Sequence, residues 1–231
     1  MARIKFGMMM TDARGKLGGQ VFTKTRSGAT VRTKVTPVNP KTSFQGSVRN
    51  AFANISRQWA LLDPEERNGW NTGVSDYAKT NVFGDTYLPS GKSLFQQINN
   101  NLSTAGASLV QTVPASRQTT LFDFTEADVN NTTGDILLDI IIPAPIPTSC
   151  RVVIEATTSN SPGRYNFSGQ YRQFAVVPGN AIPDPDVIYN LYVAKFGTPI
   201  RDKKISFRVY TIDNISGLAS PKATQDAIVV V

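Results

Sequence analysis

The 231-residue chain contains no histidine and a single cysteine, Cys150. Without histidine, a Ser-His-Asp triad, a Cys-His pair and the usual zinc sites are excluded, which leaves carboxylate-only or lysine-based chemistry. One cysteine forms neither an internal disulfide nor a thiolate cluster. Cys150 precedes Arg151 at the start of an alternating run and reads as a packed thiol. No run approaches the roughly 20 apolar residues of a membrane span. The opening MARIKFGMMM has no sustained apolar region of the signal-peptide kind. These absences predict a soluble protein with no membrane partner, no cofactor and no metal.

Acidic residues are also scarce at the start. Residues 1–62 hold eleven Lys/Arg and only Asp12 as acid, a balance of +10. The rest holds thirteen Lys/Arg against sixteen Asp/Glu, a balance of −3, for +7 overall. Such a split predicts that the first part meets something anionic: nucleic acid, an acidic protein surface, or the acidic half of a neighbouring copy.

What is present falls into segments. Residues 1–40 read as a basic arm or β-ribbon. Arg3-Ile4-Lys5-Phe6 is extended, Gly15, Gly18 and Gly19 mark turns, and 20–25 and 29–35 alternate with period two. Arg26-Ser27-Gly28 between them predicts a hairpin turn. Apolar residues there are few, so the ribbon must lie either on the rest of the protein or on a partner. Residues 41–104 read as helical. Thr42 or Ser43 caps a helix whose face is Phe44, Val48, Phe52, Ile55, Trp59 and Leu62. Asp63-Pro64-Glu65-Glu66 starts a second helix carrying Trp70, Val74 and Tyr77. Ser90 caps a third with Leu94, Phe95, Ile98 and Leu102, its end weakened by Asn99, Asn100 and Asn101. Residues 105–117 read as a linker.

Residues 118–231 change character. Strands are predicted at 121–124, 135–142, 151–157, 170–177, 204–212 and 227–231, parted by the clusters Pro143–Pro147, Ser161-Pro162-Gly163 and Pro178-Gly179. Short strands at near-regular spacing predict an antiparallel β-sandwich of immunoglobulin or fibronectin type, with a helical insertion over 184–196. The fold class expected for the whole chain is therefore α+β.

Motifs of chemistry are weak. Gly15-Lys16-Leu17-Gly18-Gly19 lacks the order of a phosphate loop, and a strand follows where a helix is needed. Ser90-Gly91-Lys92-Ser93 reads as a helix cap rather than an anion site. Asp63, Glu65 and Glu66 are explained by capping. Asp139 and Glu155 read as solvent-facing positions on strands, so no glycosidase pair stands out. The stretch 59–70 resembles the helix-corner-helix of an HMG box. That likeness supports an alternative function: nucleic-acid binding by the basic arm and this helical pair.

A wider resemblance rests on Gly15-Lys16-Leu17-Gly18-Gly19-Gln20-Val21-Phe22, Val35-Thr36-Pro37-Val38-Asn39-Pro40 and the Trp59…Leu62-Asp63-Pro64-Glu65-Glu66-Arg67…Trp70 corner. Val82-Phe83-Gly84-Asp85, Ser90-Gly91 and Ala194-Lys195-Phe196-Gly197 before a Lys-Ile-Ser-Phe-Arg-Val strand extend it. Over nearly its whole length the chain resembles small virion structural proteins encoded among the head and tail genes of tailed bacteriophages. The resemblance implies assembly into a particle, here as a head-associated auxiliary or minor capsid component located in the virion. Partners would be capsid or tail subunits and neighbouring copies. The residues expected to contact them are Arg3, Lys5, Arg14, Lys16, Lys24, Arg26, Arg32 and Lys34, pairing charges around strand addition. No catalytic residue is expected.

Overall fold

The computed structural model describes residues 2–8, 10–115, 122–141, 149–179 and 184–230, with the side chains of Phe44 and Ile141 left aside. Expectations that fall on Leu121, on Pro143–Pro147 or on the end of the 105–117 segment lie outside the described residues. The protein is mixed α/β and divides into two compact units, Met1–Asn100 with Val110–Ser116, and Asn101–Leu109 with Arg117–Val231.

The first unit opens with a four-stranded sheet. Its strands are β1 (Ala2–Ile4), β2 (Gly15–Leu17), β3 (Gln20–Thr25) and β4 (Gly28–Thr33), ordered β1-β4-β3-β2 and antiparallel throughout. The predicted hairpin turn is present, with Thr25 paired to Gly28 across Arg26-Ser27. Leu17 pairs with Gln20 across a second two-residue loop, Gly18-Gly19, and Gly18 takes the positive φ (55°) that such a loop needs. Helices α1 (Ser43–Leu61) and α2 (Pro64–Thr72) follow, then a 3-10 turn (Gly73–Tyr77). The short strands β5 (Lys79–Thr80) and β6 (Thr86–Tyr87) precede α3 (Gly91–Ala105).

The caps agree with the sequence. Thr42 Oγ1 accepts from the Gln45 N–H at 3.3 Å, Ser90 Oγ from Ser93 N–H at 3.2 Å, and Glu66 Oε2 from Asp63 N–H at 2.9 Å. The apolar stripe of α1 divides. Ile55 and Leu62 are buried and Trp59 meets Phe95 at 5.4 Å, but Val48 and Phe52 stay 54% and 50% exposed. The core made by α3 reaches only the C-terminal half of α1, so helical periodicity overstated the buried face. Leu94, Phe95, Ile98 and Leu102 are all buried as expected. Asn99 does not weaken the helix. Fully buried, its amide accepts from Val110 N–H at 2.8 Å and donates to Val110 O at 3.1 Å. Trp70 Nε1 and Tyr77 OH donate to the carbonyls of Gln111 and Pro114, each at 2.6 Å. Residues 110–114 thus satisfy buried polar groups of the helices.

The second unit carries β7 (Asp123–Asn130), β8 (Asp135–Ile141), β9 (Cys150–Ala156), β10 (Arg172–Pro178), α4 (Pro185–Phe196), β11 (Lys204–Asp213) and β12 (Ala223–Val230). The described strands form one six-stranded sheet, ordered β10-β9-β11-β12-β7-β8. Helix α4 packs against both outer strands, β8 and β10. Six strands span about 24 Å, and a helix is about 10 Å across, so the sheet must curl around α4. Apolar residues from every strand and α4 meet in one core that includes Val129, Ile136, Ile154, Ile188, Tyr192 and Phe207. The expectation of a wholly antiparallel sheet is corrected at one pair: β12 runs parallel to β7, Val229 beside Val129. These strands are far apart in sequence, so no hairpin dictates their sense. The 184–196 helix is present. Cys150 is buried at the start of β9.

Candidate functional site

Residues directly opposite one another on paired strands share a face. In the N-terminal sheet Lys16 is opposite Val21, and Val21 is opposite Arg32. Two cations therefore flank a valine in one row, roughly 10 Å apart across three strands. Lys34 lies two residues past Arg32, and its N–H still bonds Gly19 O at 2.7 Å, which continues the ladder. Lys16, Arg32 and Lys34 line one concavity of about 280 Å³ with Val21, Thr33, Val35 and Pro37. All three cations are exposed, and among the described residues none has an ion pair.

The other five candidate residues are engaged inside the unit. Arg14 and Lys24 share the Asp12 carboxylate at 3.5 and 3.4 Å. Arg3 donates to Ser27 O at 3.0 Å and Arg26 to Pro89 O at 3.2 Å. Lys5 pairs with Asp85 at 3.1 Å and lies over the Phe83 ring at 5.4 Å. Asn81 and Lys5 together hold the Asp85 carboxyl below its ordinary range. Asn81 Nδ2 also reaches Ser27 O at 3.2 Å. The ribbon therefore lies on residues 81–89 of its own unit through its β3–β4 turn, and its opposite end carries the open cations. Thr23 and Thr30, hydroxyls 2.7 Å apart, fill the space between, with Thr30 buried.

The helical corner that resembles an HMG box carries little positive charge. The Arg67 guanidinium donates to Ala60 O at 2.7 Å, and the second helix begins with Glu65 and Glu66.

In the second unit, the reading of Asp139 and Glu155 as solvent-facing holds for one only. Asp139 is exposed on β8 and accepts from Thr125 Oγ1 at 2.6 Å. Glu155 is covered instead, with Arg208 at 2.5 Å and Lys222 at 3.5 Å. Arg208 stacks on Tyr171 at 4.1 Å and Lys222 on Tyr210 at 4.3 Å. Burial and the nearby Glu155 push the Tyr210 phenol up to about 12. In this set one carboxylate is shared by two cations, each of which also lies over a tyrosine ring. Sequence reading missed it because Glu155, Arg208 and Lys222 lie on separate strands and loops.

Among the described residues, no group of three or more His, Cys, Asp or Glu could hold a metal ion, and no helix is long and apolar enough to cross a membrane. The open Lys16–Arg32–Lys34 face is the candidate functional surface. No protein-family model, no curated protein and no solved structure matches the chain.

Proposed function

We propose that this chain is a structural component of a tailed-phage particle, a head-associated auxiliary or minor capsid protein that docks through the basic face of its N-terminal sheet. One observation carries the reading: Lys16, Arg32 and Lys34 converge on an exposed face with no ion pair among the described residues. Gathering like charges costs stability unless a partner supplies the opposite sign. Aliphatic Val21 and Val35 between them suit a protein surface, where apolar contact sits within a charged rim. The outer strands β1 and β2 are both short and have free edges for strand addition. Binding rather than catalysis fits a chain without histidine. The likeness to phage virion proteins supplies the particle, and with it the expected partners, capsid or tail subunits and further copies. In the same reading the two halves of the curled sheet, β10-β9-β11 and β12-β7-β8, are the layers of a fibronectin-like sandwich held open on one side by α4.

The test is cross-linking mass spectrometry on intact particles. Cross-links from Lys16 or Lys34 to a major capsid or tail subunit are expected, with loss of incorporation in K16E/R32E/K34E. If the protein is absent from particles, the virion reading falls.

The same three cations would also neutralise phosphates, which is the competing nucleic-acid reading. Its mark would be duplex affinity that falls steeply with salt and vanishes in that triple variant.

A further inference from the structure

The curled sheet of the second unit carries, on its outer face, the opposite charge pattern. Val129, Ile136 and Leu138 point into the core, so the alternate residues of β7 and β8 point outward. Glu126 is directly opposite Asp139, Asp128 opposite Leu137, and Asn130 opposite Asp135. Four carboxylates thus occupy one two-strand surface, with Glu126, Asp128 and Asp139 exposed. Among the described residues none pairs with a cation. Lys204, in register with Ile228 on the neighbouring strand, is taken up by Asp226 at 3.6 Å. Like charges directly opposite on a sheet destabilise it, and Glu126 with Asp139 is such a pair.

Apolar side chains stand among these acids. Leu137, Ile228 and Val230 are 49%, 52% and 51% exposed, and Ile228 and Val230 belong to β12, which runs alongside β7. The surface therefore mixes the two kinds: acids run along the middle strand β7 and onto β8, with Leu137 on one side of β7 and Ile228 and Val230 on the other. The Lys16–Arg32–Lys34 face is its counterpart: Val21 and Val35 among three cations. Both surfaces are sheet faces, and both carry charge that has no ion pair among the described residues of their own unit.

We infer that the acidic outer face of β7–β8 in one copy binds the Lys16–Arg32–Lys34 face of a second copy, joining subunits head to tail. This rests on the proposed role of the basic face as a docking surface and names its partner. The two faces are different patches of the same chain, so the contact is heterologous. Repeating it gives a ring if the rotation closes, and otherwise an open chain of subunits. Either form is a lattice element of the kind a particle coat uses.

Sedimentation velocity over a concentration series tests the inference on the full chain. The wild type should gain mass with concentration at low ionic strength, and added salt should weaken its association about tenfold or more. K16E/R32E/K34E alone should stay monomeric, and so should E126K/D128K alone. An equimolar mixture of the two should associate again, because the unaltered acidic face of the first meets the unaltered basic face of the second. Far-UV circular dichroism checks that both variants are folded. The inference is overturned if the wild type stays monomeric, or if two folded variants fail to rescue each other. A monomeric wild type that binds a short DNA duplex through the same cations would overturn it in favour of nucleic acid. Particle incorporation without self-association would leave the docking role standing and remove this inference. Self-association of a protein absent from particles would keep the basic face as a docking surface and this inference with it, and remove the virion reading.

Discussion

Single residues decide several close approaches. A Cβ on Gly91 would lie 2.4 Å from Asn71 Oδ1 and 2.9 Å from both Asn71 N and Trp70 C, at the end of α2. Two of those atoms are backbone and cannot swing aside. Gly91→Ala should therefore cost about 1–3 kcal/mol by forcing α2 and α3 apart, readable as a lower urea midpoint. In the sequence Gly91 was only part of a helix cap; nothing local shows what stands opposite it. Tyr192 is buried in the curled core, and its OH donates to Thr157 O at 2.9 Å. Burial pushes its phenol up to about 12. In the unfolded chain the phenol titrates near 10, so the neutral form belongs to the folded state. The stabilisation is whole below pH ~10 and is lost as pH rises through about 12. Absorbance of phenolate against pH should show Tyr192 and Tyr210 ionising last, together with loss of the fold, and Tyr192→Phe should remove the Tyr192 part of the alkaline loss.

Elements were legible where one surface is buried and one is not. The hairpin at Arg26-Ser27, the caps at Thr42, Asp63 and Ser90, and α4 follow from turn chemistry, capping and periodicity. Periodicity could not say how far a core extends under a helix, so Val48 and Phe52 of α1 are exposed. Nor could it show that Asn99 bonds Val110 from both ends of its amide, a pairing between α3 and a segment that reads as loop. The ribbon is the sharpest case. Its strands were evident, yet whether it lies on this protein or on another depended on Asn81, Asp85 and Pro89, 54 to 80 residues away from the residues they hold. Deleting residues 1–36 removes the bonds from Lys5, Arg26 and Ser27 to that loop and should lower the thermal midpoint of the N-terminal unit. K16E/R32E/K34E touches none of them and should leave the midpoint near that of the wild type. Differential scanning calorimetry of the two variants separates an anchoring role from a docking role.

For the whole molecule, the charge division of +10 and −3 was fixed by composition. It implied an anionic partner for the N-terminal part, and the absence of histidine removed the commonest catalytic arrangements. Alternation and turn residues likewise settled a mixed α/β chain with a strand-rich C-terminal part. The sequence could not rank eight candidate cations. Five are spent on Asp12, Asp85 and backbone carbonyls, and three are left without an ion pair among the described residues on one face, a distinction that exists only after strand register is set. Register likewise decided which acids of β7 and β8 share the outer face, since a shift by one residue would turn them into the core. The parallel β12–β7 pair and the curl around α4 were also decided by tertiary structure, because β12 and β7 are about a hundred residues apart and α4 and β8 about fifty, and spacing along the chain carries no record of such distances.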